Sequence, residues 1–511
     1  MLFNSYTFIF AFLPVVLVGY YLIRRSSLSS LWVPWLVLSS LFFYAWWNPV
    51  YLWLLGISIV FNFMLGGRLA KLAGTRLGKT LLLAGVAVNL GAIGYFKYLG
   101  FFADVANSVA GTSFVVGHVI LPLAISFFTF QQITFLVDAY AGRTKEYDFW
   151  SYCLFVSFFP QLIAGPIVHH SEMMPQFRDV ADRSTTLENM SVGLTIFAFG
   201  LFKKAVLADG IAPYANLAFG TADGGGSLDF FAAWGGALAY TFQLYFDFSG
   251  YSDMAIGIAR MFNVRLPLNF NSPYKALSIV DFWRRWHMTL SRFLRDYVYI
   301  PLGGNRKGRI RRHGNLMATM LIGGLWHGAG WTFVVWGGLH GLYLVINHFW
   351  SRIAGDALSG FWGRISAWGL TFLAVVVGWV FFRATSFDGA IAMLQGMAGQ
   401  SGVSLPAAIA YRVPDLVPVA ENLGVVFTLG GGATFLENWI WVLALGVIAF
   451  FGPNTEELVR RYQPVLNNEA LGKGGWLVWS PSARWAFGVA GLLGISLLAL
   501  PQVSEFLYFQ F

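Results

Sequence analysis

Long apolar runs separated by short polar segments recur along the whole chain. The first run, residues 6–23, has about the length that a helix needs to cross the hydrocarbon core of a bilayer. Several later runs are short or interrupted by glycine and proline, which is tolerated where a segment is buried in protein or lines a cavity. The pattern predicts an all-α polytopic membrane protein with roughly eleven transmembrane helices and some re-entrant segments. The runs are residues 6–23, 31–46, 51–65, 81–95, 119–137, 152–168, 192–201, 230–245, 317–346, 365–382, 439–451 and 485–500.

Basic residues predict the direction of the first helices. Arg24 and Arg25 follow the first run, and the next basic cluster, at residues 68–79, comes after two further runs. Because cytoplasmic loops carry the excess of lysine and arginine, both clusters are expected on the inside. The N-terminus is therefore predicted to lie outside the cytoplasm.

The composition agrees with a membrane protein. Hydrophobic residues make up 57% of the 511 residues and charged residues 11%, with a mean hydropathy of +0.62. Soluble domains contain about 25% charged residues. The net charge of +9 raises the alternative of nucleic-acid binding, but the positive-inside rule explains that charge, so no nucleic-acid partner is predicted. The single cysteine, Cys153, excludes a disulfide within the chain and a cysteine metal cluster.

Two segments have the composition of aqueous regions. Residues 284–312 contain nine lysines and arginines, which predicts a cytoplasmic segment. Within it, Arg306 and Lys307 lie in a glycine-rich stretch that suits the phosphates of a ligand such as coenzyme A or a nucleotide. Charge next to anionic lipid head groups is the alternative. Residues 399–437 are rich in glycine, proline and serine, and we predict an external loop or a small lid there.

One histidine lies among glycines inside the run 317–346. The neighbours of His327 three and four residues away along a helix are glycines and one tryptophan. An ionisable group at membrane depth is costly and is a functional candidate, and its small neighbours would leave a slot beside the imidazole. Close packing of helix backbones is the alternative. His340 follows about 220° further around a continuous helix, so we interpret it as structural.

Two further motifs place ionisable groups beside aromatic residues. His287, at the start of the basic segment, fits a hydrogen-bonded structural histidine as well as a catalytic one. Asp247 and Asp253 lie amid aromatic and hydroxyl side chains, and either carboxylate could orient a histidine or an arginine. A buried polar network that fixes helix packing is the alternative. The sequence has neither a G-x-S-x-G elbow nor a P-loop, which argues against a serine hydrolase and a P-loop ATPase.

These motifs together are similar to those of a known family. They occupy residues 121–131, 158–166, 245–254, 282–287 and 323–331, and the likeness extends from residue 1 to residue 383. The chain resembles the membrane-bound O-acyltransferase (MBOAT) family, in particular its bacterial branch, which includes the membrane subunit of alginate O-acetyltransferase. The resemblance implies one membrane domain over residues 1–511, a ring of helices around a central funnel, and a place in the bacterial cytoplasmic membrane.

The resemblance also implies roles for single residues. His327 corresponds to the catalytic histidine of the family, and His287 to its second active-site histidine. The implied acyl donor is acetyl-CoA, which would bind as a substrate, and neither a resident cofactor nor a metal is expected. The predicted substrate-binding residues are Trp326, Trp283, Arg284, Arg285, Asp247, Asp253, Arg306 and Lys307.

The last seven residues, 505–511, are similar to a short aromatic C-terminal motif found in several bacterial surface-acylation systems. In those systems the tyrosine, here Tyr508, is a proposed acyl relay to an extracytoplasmic serine acyltransferase. An aromatic anchor at the membrane interface is the alternative. As a relay, a phenol with a pKa of about 10 would need a nearby base.

The function implied by the resemblance is O-acetylation of a surface or exported polysaccharide. An acetyl group would pass from cytosolic acetyl-CoA across the membrane, with a periplasmic serine acyltransferase as the protein partner and membrane lipid as the surroundings. The alternative from another class is a proton-coupled transporter or polymer-export channel, with the histidines as a proton relay. The identity of the polymer stays open, as does transfer of a longer acyl chain to a lipid or protein.

Overall fold

Helices form almost all of the regular structure. The computed structural model describes residues 1–117, 119–144, 148–178, 186–353, 360–471, 477–502 and 507. Within these ranges the only strands are Val403–Pro406 and Val425–Thr428, four residues each. The predicted all-α class is therefore confirmed.

Six helical segments within the described ranges are long and apolar enough to cross a membrane, judged by length and composition. Two shorter apolar segments, Ser29–Ala45 and Ala483–Ala499, accompany them. This set of apolar helices confirms a multi-pass membrane protein. The total of roughly eleven spans, the funnel and the orientation of the N-terminus stay predictions. The six segments are Phe8–Arg25, Tyr51–Lys71, Arg76–Ala110, Thr186–Asp223, Phe361–Arg383 and Gly432–Phe451.

The first of two compact units is assembled from Met1–Leu201, Tyr251–Asn269 and Thr455–Leu500. Side-chain amides join two of its helices, because Asn62 and Asn89 exchange hydrogen bonds of 3.2 and 2.8 Å in the buried interior. Such polar pairs hold helices together where lipid offers no hydrogen-bond partner. Its α-helices are Leu13–Arg25, Trp32–Ala45, Tyr51–Lys71, Arg76–Ile93, Leu99–Ala110, Ile125–Tyr140, Phe149–Ser157, Phe159–Leu162, His170–Arg178, Thr186–Phe202, Thr455–Val459 and Ala483–Ala499, with π-helical turns Phe8–Phe12 and Gly94–Tyr98 and 3-10 turns Ser29–Leu31, Arg460–Tyr462 and Asn468–Leu471.

The second unit is assembled from Phe202–Gly250, Phe270–Asn454 and Pro501–Phe511. It takes the first part of the helix Phe230–Met261, the longest in the described ranges, which we call the long helix. Both predicted active-site histidines belong to this unit. Its other α-helices are Asp209–Asp223, Ile279–Trp283, Met288–Leu294, Arg309–His327, Trp331–Ile353, Phe361–Arg383, Phe387–Met397, Ala407–Arg412, Val417–Asn422 and Gly432–Phe451, with π-helical turns Lys203–Ala208 and Arg295–Tyr299 and 3-10 turns Pro273–Lys275, Pro414–Leu416 and Leu500–Gln502.

The apolar run 317–346 is two helices rather than one. Helix Arg309–His327 ends at Gly328, whose extended backbone has φ −155° and ψ 149°, and the next helix is Trp331–Ile353. Gly324 lies against Gly337, which brings the two backbones close together in an antiparallel pair. We call this pair the histidine hairpin. A β-carbon added to Gly324 would overlap the carbonyl oxygen of Phe333, so the close approach requires glycine there.

The predicted loop at residues 399–437 has secondary structure of its own. Its two strands pair in parallel with Val403 opposite Val425. Because parallel strands cannot be joined by a tight hairpin, a crossover that contains helices Ala407–Arg412 and Val417–Asn422 connects them. The glycine-rich composition concealed these short elements. The external location of this segment stays a prediction.

The basic segment 284–312 contains two short helices and a glycine-rich turn at residues 300–308, which we call the basic turn. Gly303, Gly304 and Gly308 have φ values of 113°, 55° and 83°, in a region that side chains disfavour. The Asn315 side-chain amide donates to the Gly304 carbonyl at 2.9 Å and ties the turn to the histidine hairpin. The cytoplasmic location of the segment stays a prediction.

Candidate active site

His327 is the last residue of the first helix of the histidine hairpin. Its side chain is 6% exposed and is surrounded by aromatic rings. The ring centroids of Trp326, Trp336 and Phe382 lie 4.8, 5.1 and 5.1 Å from the imidazole centroid. Because the helix ends at this residue, the imidazole lies where the chain turns back, inside a wall of rings.

The glycines around His327 are filled rather than open. A β-carbon on Gly324 would overlap backbone of the partner helix, and one on Gly328 would overlap the ring of Phe333. A β-carbon on Gly323 would lie 3.1 Å from a methyl group of Leu294. At Gly323 and Gly324 the expected slot beside the imidazole is therefore filled, and these two glycines serve close packing, whereas a β-carbon on Gly330 would make only ordinary contact, 3.6 Å from the ring of Phe333.

His287 precedes helix Met288–Leu294 and has a left-handed backbone conformation, with φ 41°. That conformation is uncommon for a residue with a side chain and persists only where the surroundings impose it. The side chain is fully buried, and the ring of Phe248 from the long helix packs edge-on against it at 4.8 Å. The strained backbone aims this imidazole inward.

The two imidazoles face the same interior region. The ring centroids of His287 and His327 are 6.5 Å apart, and Trp326 lies 6.2 Å from His287. At that separation the ring nitrogens are too far apart for a direct hydrogen bond between the two imidazoles. The structure thus brings together three of the residues that the sequence singled out.

His340 lies one ring away from this pair, although the sequence suggested that it should not share a site. Trp336 separates them, with centroids 5.1 Å from His327 and 4.8 Å from His340. The argument from helix rotation assumed one continuous helix, whereas the chain reverses between the two histidines. The glycines at positions 328 and 330 were the available signal for that break.

Trp283 contacts His340. Its indole N–H donates to Nδ1 of His340 at 3.3 Å, and the two ring centroids are 5.3 Å apart. Both side chains are buried. Because Nδ1 accepts this bond, the proton of the neutral imidazole is placed on Nε2. This contact gives Trp283 a positioning role in the structure, and its predicted contact with substrate stays a prediction.

Asp247 on the long helix orients a lysine. Its Oδ1 lies 2.8 Å from Nζ of Lys204, and the same ammonium donates to Asp209 at 2.6 Å. The sequence had suggested a histidine or an arginine as the partner of this carboxylate. Lys204 was missed because the doublet Lys203-Lys204 follows an apolar run and looks like an ordinary boundary. The sequence signal that could have revealed Lys204 was its position inside Thr186–Asp223, a segment long and apolar enough to span a membrane.

Asp253 belongs to the first compact unit, in contrast to Asp247. The hydroxyl of Thr455 donates to its carboxylate at 2.5 Å, and both side chains are buried. This contact fits the alternative of a buried polar network that fixes packing.

The predicted phosphate-binding residues lie at the surface. Arg284, Arg306 and Lys307 are exposed. Arg285 is half-buried and pairs with Asp281 at 2.8 Å. Helix Arg309–His327 separates the basic turn from the catalytic candidate by about 27 Å, at 1.5 Å per residue. Binding of a donor at these residues stays a prediction.

Among the described residues, no three histidine, cysteine, aspartate or glutamate side chains are grouped so that they could hold a metal ion. Tyr508, the proposed relay, lies outside the described residues. Its neighbour Leu507 is described, is 3% exposed, and donates its backbone N–H to the carboxylate of Asp247.

A buried pair of imidazoles among aromatic rings can perform proton transfer in a dry interior. Burial disfavours the charged imidazolium, so such a ring is available as a neutral base. A base of this kind can take a proton from a hydroxyl group that attacks an acyl carbon. Aromatic walls that exclude water would favour transfer of the acyl group over its hydrolysis.

Comparison with known proteins shows which family the chain belongs to. The profile of the membrane-bound O-acyltransferase family matches residues 112–387, more than half of the chain. The peptidoglycan O-acetyltransferase of Helicobacter pylori is 49% identical over 431 residues, which cover 79% of this chain and 81% of that protein. The protein named probable alginate O-acetylase of Pseudomonas aeruginosa is 37% identical over the whole of both chains.

A more distant similarity links the chain to the teichoic acid D-alanyltransferase of Streptococcus thermophilus. The two are 30% identical over 239 residues, which cover 45% of this chain and 57% of the other. The family profile matches more than half of the chain, and two relatives are similar over most or all of it. The chain belongs to the membrane-bound O-acyltransferase family, and the resemblance drawn from its motifs is confirmed.

Proposed function

We propose that this protein moves an acetyl group from cytosolic acetyl-CoA across the membrane for O-acetylation of a surface or exported polysaccharide. The observation that carries the proposal is the buried pair His287 and His327, whose imidazole centroids are 6.5 Å apart within a wall of aromatic rings. Relatives named for acetylation of peptidoglycan and alginate support the acetyl group and the glycan class. The localisation proposed is the cytoplasmic membrane of a bacterium.

In the proposed reaction His327 is the general base. It takes the proton of an acceptor hydroxyl while the hydroxyl oxygen attacks the thioester carbonyl carbon. The carbon–sulfur bond breaks, and the same proton passes from His327 to the leaving sulfur of coenzyme A. His287, whose imidazole lies near that of His327, holds the thioester or donates to its carbonyl oxygen. No net charge is created across the complete step.

The proposed acceptor on this chain is Tyr508. Its acyl ester would then be passed to a serine acyltransferase on the outer side, which modifies the polymer. The place of Leu507, buried against Asp247 in the same unit as the histidines, supports a C-terminal segment that enters the interior. The alternative of an interfacial aromatic anchor predicts a segment at the membrane surface.

The donor would bind with its phosphates at Arg306 and Lys307. Three glycines with positive φ shape the basic turn beside these exposed side chains. The roughly 27 Å from this turn to His327 along the helix implies that only an extended donor could reach both places. Membrane lipid would surround the apolar spans.

Thioester consumption by the purified protein tests the proposal. In His327→Ala we expect the rate of coenzyme A release from acetyl-CoA to fall by about a hundredfold or more, the usual contribution of a general base. The matched control is His348→Ala, which removes a histidine from the same hairpin where it contacts Arg312 at 3.0 Å instead. We expect the control to retain the wild-type rate.

Base-releasable acetate on purified surface polysaccharide is the companion measurement in cells. Only the wild type and the His348→Ala control should restore it to a deletion strain, at equal amounts of protein in the membrane. Full activity of His327→Ala would remove His327 from the reaction. Proton-coupled flux without any consumption of thioester would replace the proposal by the transporter alternative.

A further inference from the structure

A charged cluster outside the proposed reaction lies in the second unit. The Lys204 ammonium lies 2.6 Å from the Asp209 carboxylate and 2.8 Å from the Asp247 carboxylate. The three side chains are 1%, 6% and 2% exposed. Lys204 and Asp209 both fall within Thr186–Asp223, a segment long and apolar enough to cross the membrane. We call Lys204, Asp209 and Asp247 the charged triad.

Burial makes this triad a costly feature. Removing ions from water is unfavourable, and ionisable groups at membrane depth persist where they are paired and have a function. A π-helical turn, Lys203–Ala208, interrupts the α-helical geometry at Lys204, and such turns often occur at functional sites. Two carboxylates share the Lys204 ammonium, and each carboxylate oxygen can accept more than one hydrogen bond.

The C-terminal segment supplies a further donor to the triad. The backbone N–H of Leu507 donates to the carboxylate of Asp247, and the Leu507 side chain is buried. A backbone N–H bonded to an ionised carboxylate is stronger than a bond between neutral groups. Because the donor is a backbone group, this contact does not depend on which side chain residue 507 carries.

The same turn of the long helix also reaches the histidine pair. Phe248, the residue after Asp247, packs edge-on against His287 with ring centroids 4.8 Å apart. Successive residues on a helix point about 100° apart, so one turn contacts Leu507 on one side and packs against an active-site imidazole on another. The charged triad and the histidine pair are therefore linked through adjacent residues of one element.

We propose that the charged triad is a positioning device that docks the C-terminal segment through the Leu507 backbone N–H. Lys204, which lies against both carboxylates, orients Asp247, and Asp247 holds the chain at Leu507, the residue before Tyr508. The inference rests on the proposed function in that Tyr508 is the group so presented. None of the three triad side chains takes part in breaking or forming the acyl bond.

Thiol labelling at position 507 tests docking without any acyl donor. Leu507→Cys keeps the backbone N–H, and Cys153→Ser removes the one native cysteine, so a maleimide reports on this position alone. In this background we expect Asp247→Asn to raise the labelling rate by about tenfold or more, the factor expected when a hydrogen bond to a charged group is weakened. Equal labelling rates in a folded Asp247→Asn variant would overturn the proposal.

Asp253→Asn is the matched control for labelling. It makes the same chemical change at another buried carboxylate of the long helix, where the partner is Thr455. Its labelling rate at position 507 should equal that of the parent. A rise of the same size in this control would show that any buried substitution loosens the segment, which would also overturn the proposal.

A second pair of variants leaves the triad untouched and covers the case in which Asp247→Asn does not fold. Leu507→Pro removes the backbone N–H, whereas Leu507→Ala keeps it. We expect Leu507→Pro to lower kcat for acyl transfer by about tenfold or more with the KM for thioester unchanged, and Leu507→Ala to stay close to wild type. Equal kcat values in the two variants would contradict docking through the N–H.

Failure of the proposed function gives a different pattern. If the wild-type protein does not consume acetyl-CoA, the labelling rates still decide whether the triad docks the segment. Suppose instead that the protein consumes thioester, but Asp247→Asn leaves the labelling rate unchanged and Leu507→Pro leaves kcat unchanged. The proposed function would then stand, and docking through the N–H would be wrong.

Discussion

A row of aromatic and imidazole rings passes through the interior of the second unit. His287 and His327 are 6.5 Å apart between centroids, and Trp336 then lies 5.1 Å from His327 and 4.8 Å from His340. Each ring restricts the orientation of the next because interiors are close-packed. The position of His327 therefore depends on residues that do not face it directly, and Trp283 is one of them through its bond to His340.

The structure predicts a structural effect for Trp283→Phe. This change removes the indole donor and leaves Nδ1 of the buried His340 without that bond, at a cost of about 1–3 kcal/mol in the free energy of unfolding. We expect a lower melting temperature in detergent and a KM for acetyl-CoA within about twofold of wild type, since ring packing is largely retained.

The control for this variant is Trp234→Phe. The indole N–H of Trp234 donates to the carbonyl oxygen of Met397 at 3.0 Å in the same unit, so one indole bond is lost there as well. Similar losses of stability with unchanged KM in both variants would agree with the structure. A KM that rises more than about tenfold for Trp283→Phe alone would instead support direct contact with substrate.

At the level of elements, the histidine hairpin decides where the catalytic candidate lies. The first helix ends at His327, and Gly324 allows the returning helix to approach at Gly337. Membrane helices gain their association from close backbone contact because lipid is as apolar as their side chains. The hairpin therefore needs glycine at the crossing, and the crossing fixes His327 against Trp336.

Substitution at the crossing should disrupt this element. In Gly324→Ala the added β-carbon overlaps backbone of the partner helix, which cannot rotate away as a side chain could. We expect a loss of about 1–3 kcal/mol in the free energy of unfolding, the usual range for overpacking. Thermal unfolding of the detergent-purified protein would measure it.

Gly314→Ala is the control on the same helix. No atom lies within 4 Å of a β-carbon added there, and alanine is a better helix former than glycine. We expect unchanged or slightly raised thermal stability. A Gly324→Ala variant as stable as this control would mean that the two helices can separate at the crossing without cost.

At the scale of the whole molecule, chain order and spatial grouping differ. The first compact unit combines residues near the N-terminus with Thr455–Leu500. In that late stretch the backbone N–H of Leu466 donates to the carbonyl oxygen of Leu266 at 3.1 Å. The carbonyl oxygen of Tyr462 accepts a hydrogen bond of 2.9 Å from the guanidinium group of Arg260. The segment matched by the family profile, residues 112–387, therefore contains only part of this unit.

This arrangement predicts the result of truncation. A chain that stops after Asn454 loses the late stretch of the first unit and several buried hydrogen bonds, a loss comparable with the whole marginal stability of a protein. We expect folded protein extracted from membranes to fall by about tenfold or more. A chain that stops after Leu507 keeps that stretch and should accumulate normally, as judged by size-exclusion chromatography. A monodisperse peak from the shorter chain would contradict the prediction.

Much of the fold and part of the site could be predicted from the sequence. Apolar runs at membrane length gave the helical membrane class, and the motifs around His287 and His327 gave the family. The reversal at residues 328–330 was missed because an apolar helix pair and one apolar helix have the same composition. The two short strands at Val403–Pro406 and Val425–Thr428 were missed because four residues carry too little periodicity.

The sequence by itself determined that this chain crosses a membrane, because each apolar run must satisfy its own backbone in lipid and only a helix does so there. It also marked His327 as a functional candidate, since an ionisable group among apolar residues is visible in the sequence. Only the tertiary structure decided that His340 lies one ring from His327 and that Lys204 pairs with Asp247. These contacts join residues that are distant along the chain or separated by a turn. Close packing of the interior brings such residues together, and no local sequence pattern shows which residues will meet.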